Sequence, residues 1–188
     1  VAKAVDNKLA QEAISKDDVQ GIGIGVPGPV DSQGVVHRCV NLGWGVVNVA
    51  EELGNLTGLT IKVGNDANVA ALGEMWQGGA KGSKDVIMVT LGTGVGGGII
   101  VDGKVVAGFN GAGGEIGHIT VNNDEIEACN CGQYGCLEQY TSATGIVRLA
   151  KRKLAKSSEE TSIREIPNLT AKDVFDAAKA GDAIAIGL

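Results

Sequence analysis

The sequence lacks an uninterrupted apolar stretch of the length that a membrane-spanning helix needs. Its longest uncharged apolar stretch runs from Val86 to Val101 and is interrupted by five glycines and two threonines. A spanning helix takes about 20 mostly apolar residues, so we expect no membrane contact. The sequence also opens at Val1 with a helical pattern and without a secretory leader. We therefore expect the natural N-terminus to lie further upstream.

Basic residues are outnumbered by acidic ones. The chain has 16 lysines and arginines against 22 aspartates and glutamates, and its net charge at pH 7 is −6. Domains that bind nucleic acids usually carry a basic face. The charge balance therefore argues against nucleic acid as the main partner, but not against a phosphate site that is built from backbone amides.

Cysteine is scarce, and three of the four cysteines are clustered. Cys129, Cys131 and Cys136 lie within eight residues, whereas Cys39 stands alone. A metal site in a reducing cytoplasm explains this spacing better than a secreted disulfide framework does. Three thiolates and the imidazole of His118 suit the closed tetrahedral coordination of a structural Zn²⁺. A disulfide between Cys129 and Cys136 is the alternative, and it requires an oxidising compartment.

Two carboxylates flank this cluster. Glu115 precedes His118 by three residues, and Glu138 follows Cys136 by two. A bound metal would order the whole segment, and with it both carboxylates and the imidazole. The pattern therefore suits a polar site for a small molecule.

Glycine, in contrast, is abundant. The chain has 30 glycines, about double the usual share of ~7%. Their longest cluster covers residues 92–98, between predicted strands over 86–91 and 99–101. The backbone N–H groups of such a turn can point at one anion, which predicts a phosphate site. The sequence after the cluster excludes a P-loop and a dinucleotide fingerprint, and a plain hairpin turn is the alternative.

The apolar pattern predicts strands and helices in alternation. The predicted strands cover 20–26, 60–63 and 86–91, and the predicted helices cover 48–56, 67–77, 140–154 and 170–180. This alternation indicates an α/β protein, and the hairpin signal Asp102-Gly103 indicates a sheet that is not purely parallel. The glycine-rich segment 78–83 predicts a boundary between an N-terminal part, residues 1–77, and a C-terminal part, residues 78–188.

Asn65 and Asp66 lie where a predicted strand ends and a predicted helix begins. Ligands of α/β proteins bind beyond the carboxyl ends of strands. A carboxylate at that place can accept the proton of an attacking hydroxyl, as the bases of kinases do. The alternative, which the local sequence favours, is an ordinary aspartate at a helix N-cap.

Three segments resemble the signatures of the ROK family (repressors, open reading frames and sugar kinases), and they occur in the family's order. Val63-Gly64-Asn65-Asp66-Ala67-Asn68 resembles its catalytic segment. The run from Leu91 to His118, with its regularly placed glycines, resembles the family signature. Cys129-x-Cys131-Gly132-x-x-Gly135-Cys136-x-Glu138 resembles the zinc motif. The sequence of this loop and of residues 137–148 after it is most similar to that of bacterial glucokinases of the low-GC Gram-positive type.

The resemblance implies an α/β protein with the actin-like ATPase (ribonuclease H-like) fold, in which two α/β domains bind sugar and nucleotide in an interdomain cleft. It implies ATP-dependent phosphorylation of glucose, with Asp66 as the general base on the 6-hydroxyl. The other sugar hydroxyls would contact Asn65, Glu115, His118 and Glu138, and His118 would also bind zinc through its second ring nitrogen. ATP would arrive with Mg²⁺, and its phosphates would contact Gly92, Thr93, Gly94, Gly96 and Gly97. The resemblance also suggests a homodimer.

Two parts of the family pattern are absent from this sequence. These are an opening Asp-x-Gly-x-Thr phosphate loop and a glycine-rich adenosine-binding segment towards the C-terminus. We therefore expect the chain to be the middle of a longer protein, incomplete at both ends. The alternatives are a sugar-sensing transcriptional repressor, a kinase for N-acetylmannosamine, N-acetylglucosamine, mannose or fructose, and a zinc-stabilised interaction module. Polyphosphate is the alternative phosphoryl donor.

Overall fold

A computed structural model describes residues 1–37, 39 and 42–188. The chain forms two compact units, and a hairpin of two strands contributes to both of them. The first unit comprises Val1–Met88 and Gly98–Gly114, and the second comprises Val89–Gly97 and Glu115–Leu188. The predicted division between Gln77 and Gly78 concerns the whole protein and stays a prediction.

The described residues up to Gln77 in the first unit form two pairs of strands and three α-helices. These elements are α1 (Ala2–Gln11), β1 (Ile22–Val26), β2 (Val35–Val36), β3 (Val47–Asn48), α2 (Val49–Thr57), β4 (Ile61–Asn65) and α3 (Asp66–Gln77). Strands β1 and β4 pair in parallel, so that Val26 lies opposite Asn65 where both strands end. Strands β2 and β3 pair antiparallel. The predicted strands and helices of this region are confirmed to within about two residues at each end.

Small branched side chains form the core of the first unit. Val26, Val30, Val36 and Val49 pack together with Cys39, which is 1% exposed. Cysteine behaves as a small apolar residue in such surroundings. Cys39 therefore has a packing role, which explains why it stands apart from the other three cysteines in the sequence.

A three-stranded sheet follows, with the order β5 (Val86–Leu91), β6 (Val95–Val101), β7 (Lys104–Val105). The hairpin prediction at Asp102 and Gly103 is confirmed, because both residues have the positive φ angles, 51° and 74°, that a tight two-residue turn needs. The predicted extent of the glycine turn was wrong. Strand β6 begins at Val95, so the turn is shorter than residues 92–98.

Helix packing explains why β6 contains glycine. A Cβ atom added at Gly98 would lie 2.6 Å from the carbonyl oxygen of Ala67 on α3 and would clash with it. Glycine at this position therefore allows the helix to approach the strand closely. The prediction that residues 92–98 form one continuous turn did not include this packing role of Gly98.

Helices form most of the regular secondary structure of the second unit. Its helices are α4 (Glu138–Thr141), α5 (Ala143–Lys156), α6 (Ala171–Lys179) and α7 (Ala183–Ile186). The prediction of a single helix over 140–154 was wrong, because Ser142 has an extended conformation (φ −76°, ψ 162°) and separates α4 from α5. The predicted helix over 170–180 is confirmed as α6, and Thr170 caps its start in a reciprocal capping box with Asp173. The core of this unit consists of Ala150, Ile163, Val174, Ala177, Ile184 and Ala185.

The parallel pair, the hairpin and the intervening helices confirm a mixed α/β protein. Within the described residues, no helix combines the length and the apolar character that crossing a membrane would require.

Candidate functional site

Asn65 and Asp66 lie at the carboxyl end of β4, beside the end of β1. Asn65 is the N-cap of α3, and its Oδ1 accepts a hydrogen bond from the Asn68 N–H at 3.1 Å. Its Nδ2 donates to the carbonyl oxygen of Gly28 at 3.2 Å, which ties the two strand ends together. The cap of this helix is therefore Asn65, and the alternative that assigned capping to Asp66 was wrong.

Asp66 is the first residue of α3, and its side chain is exposed. Its Oδ1 accepts a hydrogen bond from the N–H of Ala67 at 2.9 Å. The location at a strand end, the exposure and the charge all suit a group that accepts a proton.

The second unit contains a cluster of four potential metal ligands. The ligand atoms of His118, Cys129, Cys131 and Cys136 all lie within 4.8 Å of one another. The Nδ1 of His118 is 3.8 Å from the Sγ of Cys129, and the sulfurs of Cys131 and Cys136 are 3.6 Å apart. A tetrahedral site with metal–sulfur bonds of about 2.3 Å has edges of about 3.8 Å. The cluster can therefore hold a metal ion, as its sequence spacing predicted.

Local backbone geometry brings these ligands together. His118 ends a single 3₁₀ turn (Ile116–His118), and Thr120 then pairs with Cys136 through an isolated bridge. Gly135 has a φ of +70°, and a Cβ atom there would overlap the carbonyl oxygen of Asn122. Glycine at position 135 is therefore required for the loop to close on itself.

The electrostatics of the cysteines favour a bound cation. Burial, together with the neighbouring thiols of Cys131 and Cys129, raises the pKa of Cys136 to about 12. Burial also raises the pKa of Cys129. Thiolates therefore form here at neutral pH only when a cation compensates their charge. All four cysteines of the chain are described as free thiols, and the alternative disulfide between Cys129 and Cys136 is not formed.

Glu115 and Glu138 both lie next to this cluster. The Nδ1 of His118 faces Cys129, whereas its Nε2 is 3.8 Å from Oε2 of Glu115. The two ring nitrogens thus face different groups. Glu138 lies against the glycine turn, where its Oε2 accepts a hydrogen bond from the Val95 N–H at 2.9 Å. A Cβ atom at Gly94 would overlap Oε2 of Glu138, so a side chain there would displace the Glu138 carboxylate from the turn.

A buried carboxylate that the sequence analysis did not single out anchors the metal loop, residues 129–136, which contains the three clustered cysteines. The side chain of Glu125 is 1% exposed and accepts hydrogen bonds from Tyr140 at 2.7 Å, from Arg148 at 3.0 Å and from Arg152 at 2.9 Å. Burial raises the pKa of Glu125, but these hydrogen bonds lower it by more, and the pKa lies well below its usual value. The carboxylate therefore stays charged and holds the segment before Cys129 on α5.

Gln139 connects the two arms of the same loop. Its Nε2 donates to the carbonyl oxygen of Glu127 at 2.9 Å, and its Oε1 accepts from the N–H of Cys136 at 3.1 Å. Arg148 in turn donates to the carbonyl oxygen of Gln139 at 3.1 Å. These contacts support the backbone that carries the potential metal ligands, as the outer residues of metal sites commonly do. The contact of Glu125 with the arginines could have been inferred from the sequence, because Arg148 and Arg152 lie one helical turn apart and follow the acidic segment 124–127.

Comparison with known proteins shows that the whole length of the chain matches one protein family. Residues 1–188 match the ROK family. The glucokinase of Halalkalibacterium halodurans is 45% identical over 192 aligned positions, which cover 100% of this chain and 58% of that protein. The chain thus spans a little more than half of that relative's length.

Solved structures agree with this assignment. A ROK family glucokinase from Streptomyces griseus, in complex with glucose and AMPPNP, superimposes with a TM-score of 0.78 at 35% identity, over 99% of this chain and 61% of that one. A ROK family transcriptional regulator, a homologue of the E. coli MLC protein, superimposes with a TM-score of 0.85 at 28% identity, over 99% of this chain and 47% of that one. The structure therefore has the actin-like ATPase fold of these proteins, and the chain belongs to the ROK family.

Proposed function

We propose that the whole protein is a glucokinase, which transfers the γ-phosphoryl group of ATP to the 6-hydroxyl of glucose. The observation that carries this proposal is the 45% identity to the Halalkalibacterium halodurans glucokinase along the entire chain. The exposed carboxylate of Asp66 at the end of β4 supports it, because a repressor that only senses sugar needs no base at that place.

Asp66 acts as the general base in this proposal. Its carboxylate accepts the proton of the sugar 6-hydroxyl while that oxygen forms a bond to the γ-phosphorus of ATP, and the bond between that phosphorus and the β–γ bridging oxygen breaks to release ADP. Mg²⁺ that accompanies ATP would neutralise the developing charge on the phosphates. The rigid N-cap at Asn65 keeps Asp66 at a defined position on α3.

The other sugar hydroxyls contact Asn65, Glu115, His118 and Glu138 in this proposal. The ring orientation of His118 supports its assignment, because Nδ1 faces the cysteines and leaves Nε2 on the side of Glu115. A ring that is fixed through one nitrogen presents the other nitrogen in a defined tautomer and direction.

We propose that the metal of the cysteine cluster is Zn²⁺. Three thiol ligands and one imidazole, with no carboxylate among them, match the ligand set of structural zinc sites. Because all four positions of a tetrahedron are taken by protein atoms, such an ion would order the loop rather than activate water.

The glycine turn is proposed to bind the phosphates of ATP through Gly92, Thr93, Gly94, Gly96 and Gly97. Two amides near its tip already have partners, because the N–H of Gly92 donates to the Gly94 carbonyl at 3.0 Å and the N–H of Val95 donates to Glu138. The N–H groups of Thr93 and Gly94 are therefore the main candidates for the phosphate contacts.

The remaining expectations for the whole protein are also proposals. These are a boundary between residues 77 and 78 in the domain organisation, a homodimer and a cytoplasmic location. Free thiols in a metal-binding arrangement support a reducing compartment.

A sugar panel tests the proposed function. The whole protein is incubated with ATP or polyphosphate and with glucose, mannose, fructose, N-acetylglucosamine or N-acetylmannosamine, and hexose phosphate is measured. We expect the highest kcat/KM for glucose with ATP. A protein that binds glucose but phosphorylates none of these sugars, and that binds operator DNA, would instead be a transcriptional repressor, the function suggested by the structural match to the MLC homologue.

A further inference from the structure

Three hydrogen bonds connect the glycine turn and the first residue of β6 to the starts of α4 and α5. The N–H of Ala143 donates to the carbonyl oxygen of Gly92 at 2.9 Å, and the hydroxyl of Thr144 donates to the carbonyl oxygen of Thr93 at 2.8 Å. The third is the bond from the Val95 N–H to Glu138. Residues 92–95 of the turn are therefore held by a segment that lies about fifty positions later in the chain.

These contacts set the direction of two amide groups. A peptide unit is planar and trans, so its N–H points opposite to its C=O. The bond from Ala143 fixes the Gly92 carbonyl and therefore the direction of the Thr93 N–H. The bond from Thr144 fixes the Thr93 carbonyl and therefore the direction of the Gly94 N–H. Both amides consequently point away from α5, as two donors of an anion-binding backbone would.

The junction between α4 and α5 is rigid. Ser142 is 0% exposed, and its hydroxyl donates to the carbonyl oxygen of Glu138 at 2.7 Å and accepts from the Gly145 N–H at 2.9 Å. A Cβ atom at Gly145 would lie 2.6 Å from the Glu138 carbonyl oxygen, so the start of α5 packs directly on α4. Thr144 therefore projects from a fixed backbone, although its own side chain is exposed.

We propose that Thr144 is a positioning residue for phosphate binding. Its hydroxyl holds the carbonyl of Thr93 and thereby aims the Gly94 N–H at the phosphates of the nucleotide. This role rests on the proposed function of the glycine turn. It also connects the phosphate turn to the metal loop, because α4 begins two residues after Cys136.

The test compares three variants of the whole protein. Thr144→Val removes the hydroxyl and keeps the shape, Thr144→Ser keeps the hydroxyl, and Thr141→Val is the matched control. Thr141 also donates its hydroxyl to a carbonyl, that of Leu137 at 3.1 Å, but within the α4 region and not at the turn. The KM values for ATP and for glucose, kcat and the metal content are measured for each variant.

We expect Thr144→Val to raise the KM for ATP by about 3- to 10-fold, the range that a lost neutral hydrogen bond produces. Its KM for glucose and its metal content should stay at the wild-type values. Thr144→Ser should restore the KM for ATP, and Thr141→Val should leave it unchanged. An unchanged KM for ATP in Thr144→Val, or an equal shift in Thr141→Val, would overturn the proposed role.

A direct binding measurement separates this inference from the proposed kinase activity. If the wild-type protein phosphorylates no hexose, the affinity for AMPPNP is measured by calorimetry with the same variants. Weaker binding by Thr144→Val alone would support the positioning role although the kinase proposal had failed. Absence of nucleotide binding by the wild-type protein would overturn both.

Discussion

Replacement of Glu125 by glutamine should destabilise the protein far more than a surface substitution does. Glu125 is buried against Arg148 and Arg152, whose side chains are 22% and 31% exposed. Removal of one partner from a buried ion pair typically costs about 3–5 kcal/mol. The two arginines retain some water, and Arg148 keeps its bond to Glu127 at 2.8 Å. We therefore expect a loss somewhat below that range, about 2–3 kcal/mol.

Glu127→Gln is the matched control. Glu127 bonds to the same arginines, but its side chain is 47% exposed. Solvent-exposed ion pairs contribute about 0–1 kcal/mol, so this variant should lose no more than that. The free energies of unfolding are compared by urea denaturation of the whole protein, and an unchanged slope would show that only stability has changed. A loss below about 1 kcal/mol for Glu125→Gln, or equal losses for the two variants, would refute the assigned anchoring role.

The pH dependence provides an independent check on Glu125. Its pKa is lowered in the folded protein, so its contribution to stability is fully present above the unfolded-state pKa of about 4.3. That contribution is lost as the pH falls towards the folded-state pKa. The difference in stability between the wild type and Glu125→Gln should therefore be constant between pH 6 and 8 and shrink below about pH 5. A difference that grew on acidification would contradict the assignment.

Three further predictions concern the metal loop and the proposed base. Cys131→Ser should bind less metal than the wild type, because a hydroxyl replaces one of the four potential ligands. Elemental analysis of the reduced protein measures the metal content, and a full complement in this variant would exclude Cys131 as a ligand. Gly135→Ala should destabilise the protein by about 1–3 kcal/mol, because its φ is +70° and the new Cβ would overlap the Asn122 carbonyl. Gly132→Ala has a positive φ but no neighbour within 4 Å, so denaturation should show a smaller loss, and equal losses would exclude the overlap as the cause. Asp66→Asn should reduce kcat for glucose by ~10²–10⁴ with glucose binding largely retained, and a loss below about tenfold would place the base elsewhere.

Local sequence determined the helix ends, the hairpin and the metal cluster. The apolar pattern predicted a helix over 170–180, where α6 is found, and Asp102-Gly103 predicted the turn before β7, because periodicity and tight turns depend on residues within a few positions of one another. The clustered cysteines were equally local, since a short glycine-containing loop can bring three thiols to one ion. The resemblance of these same segments to the ROK family also predicted the fold, and the family match confirms it.

Tertiary structure alone decided what the glycines and the polar groups outside these motifs do. Gly98 is needed because α3 packs on β6, and the Glu138 carboxylate occupies the space that a side chain at Gly94 would take. Ser142 interrupts a sequence with good helical periodicity because its hydroxyl is bonded on both sides of the break, to Glu138 and Gly145. The partners of Gly98 and Gly94 are distant in the sequence, whereas those of Ser142 lie within four residues but on two different helices. Periodicity and motif spacing describe only neighbours along the chain, so contacts between separate elements become visible only after the chain has folded.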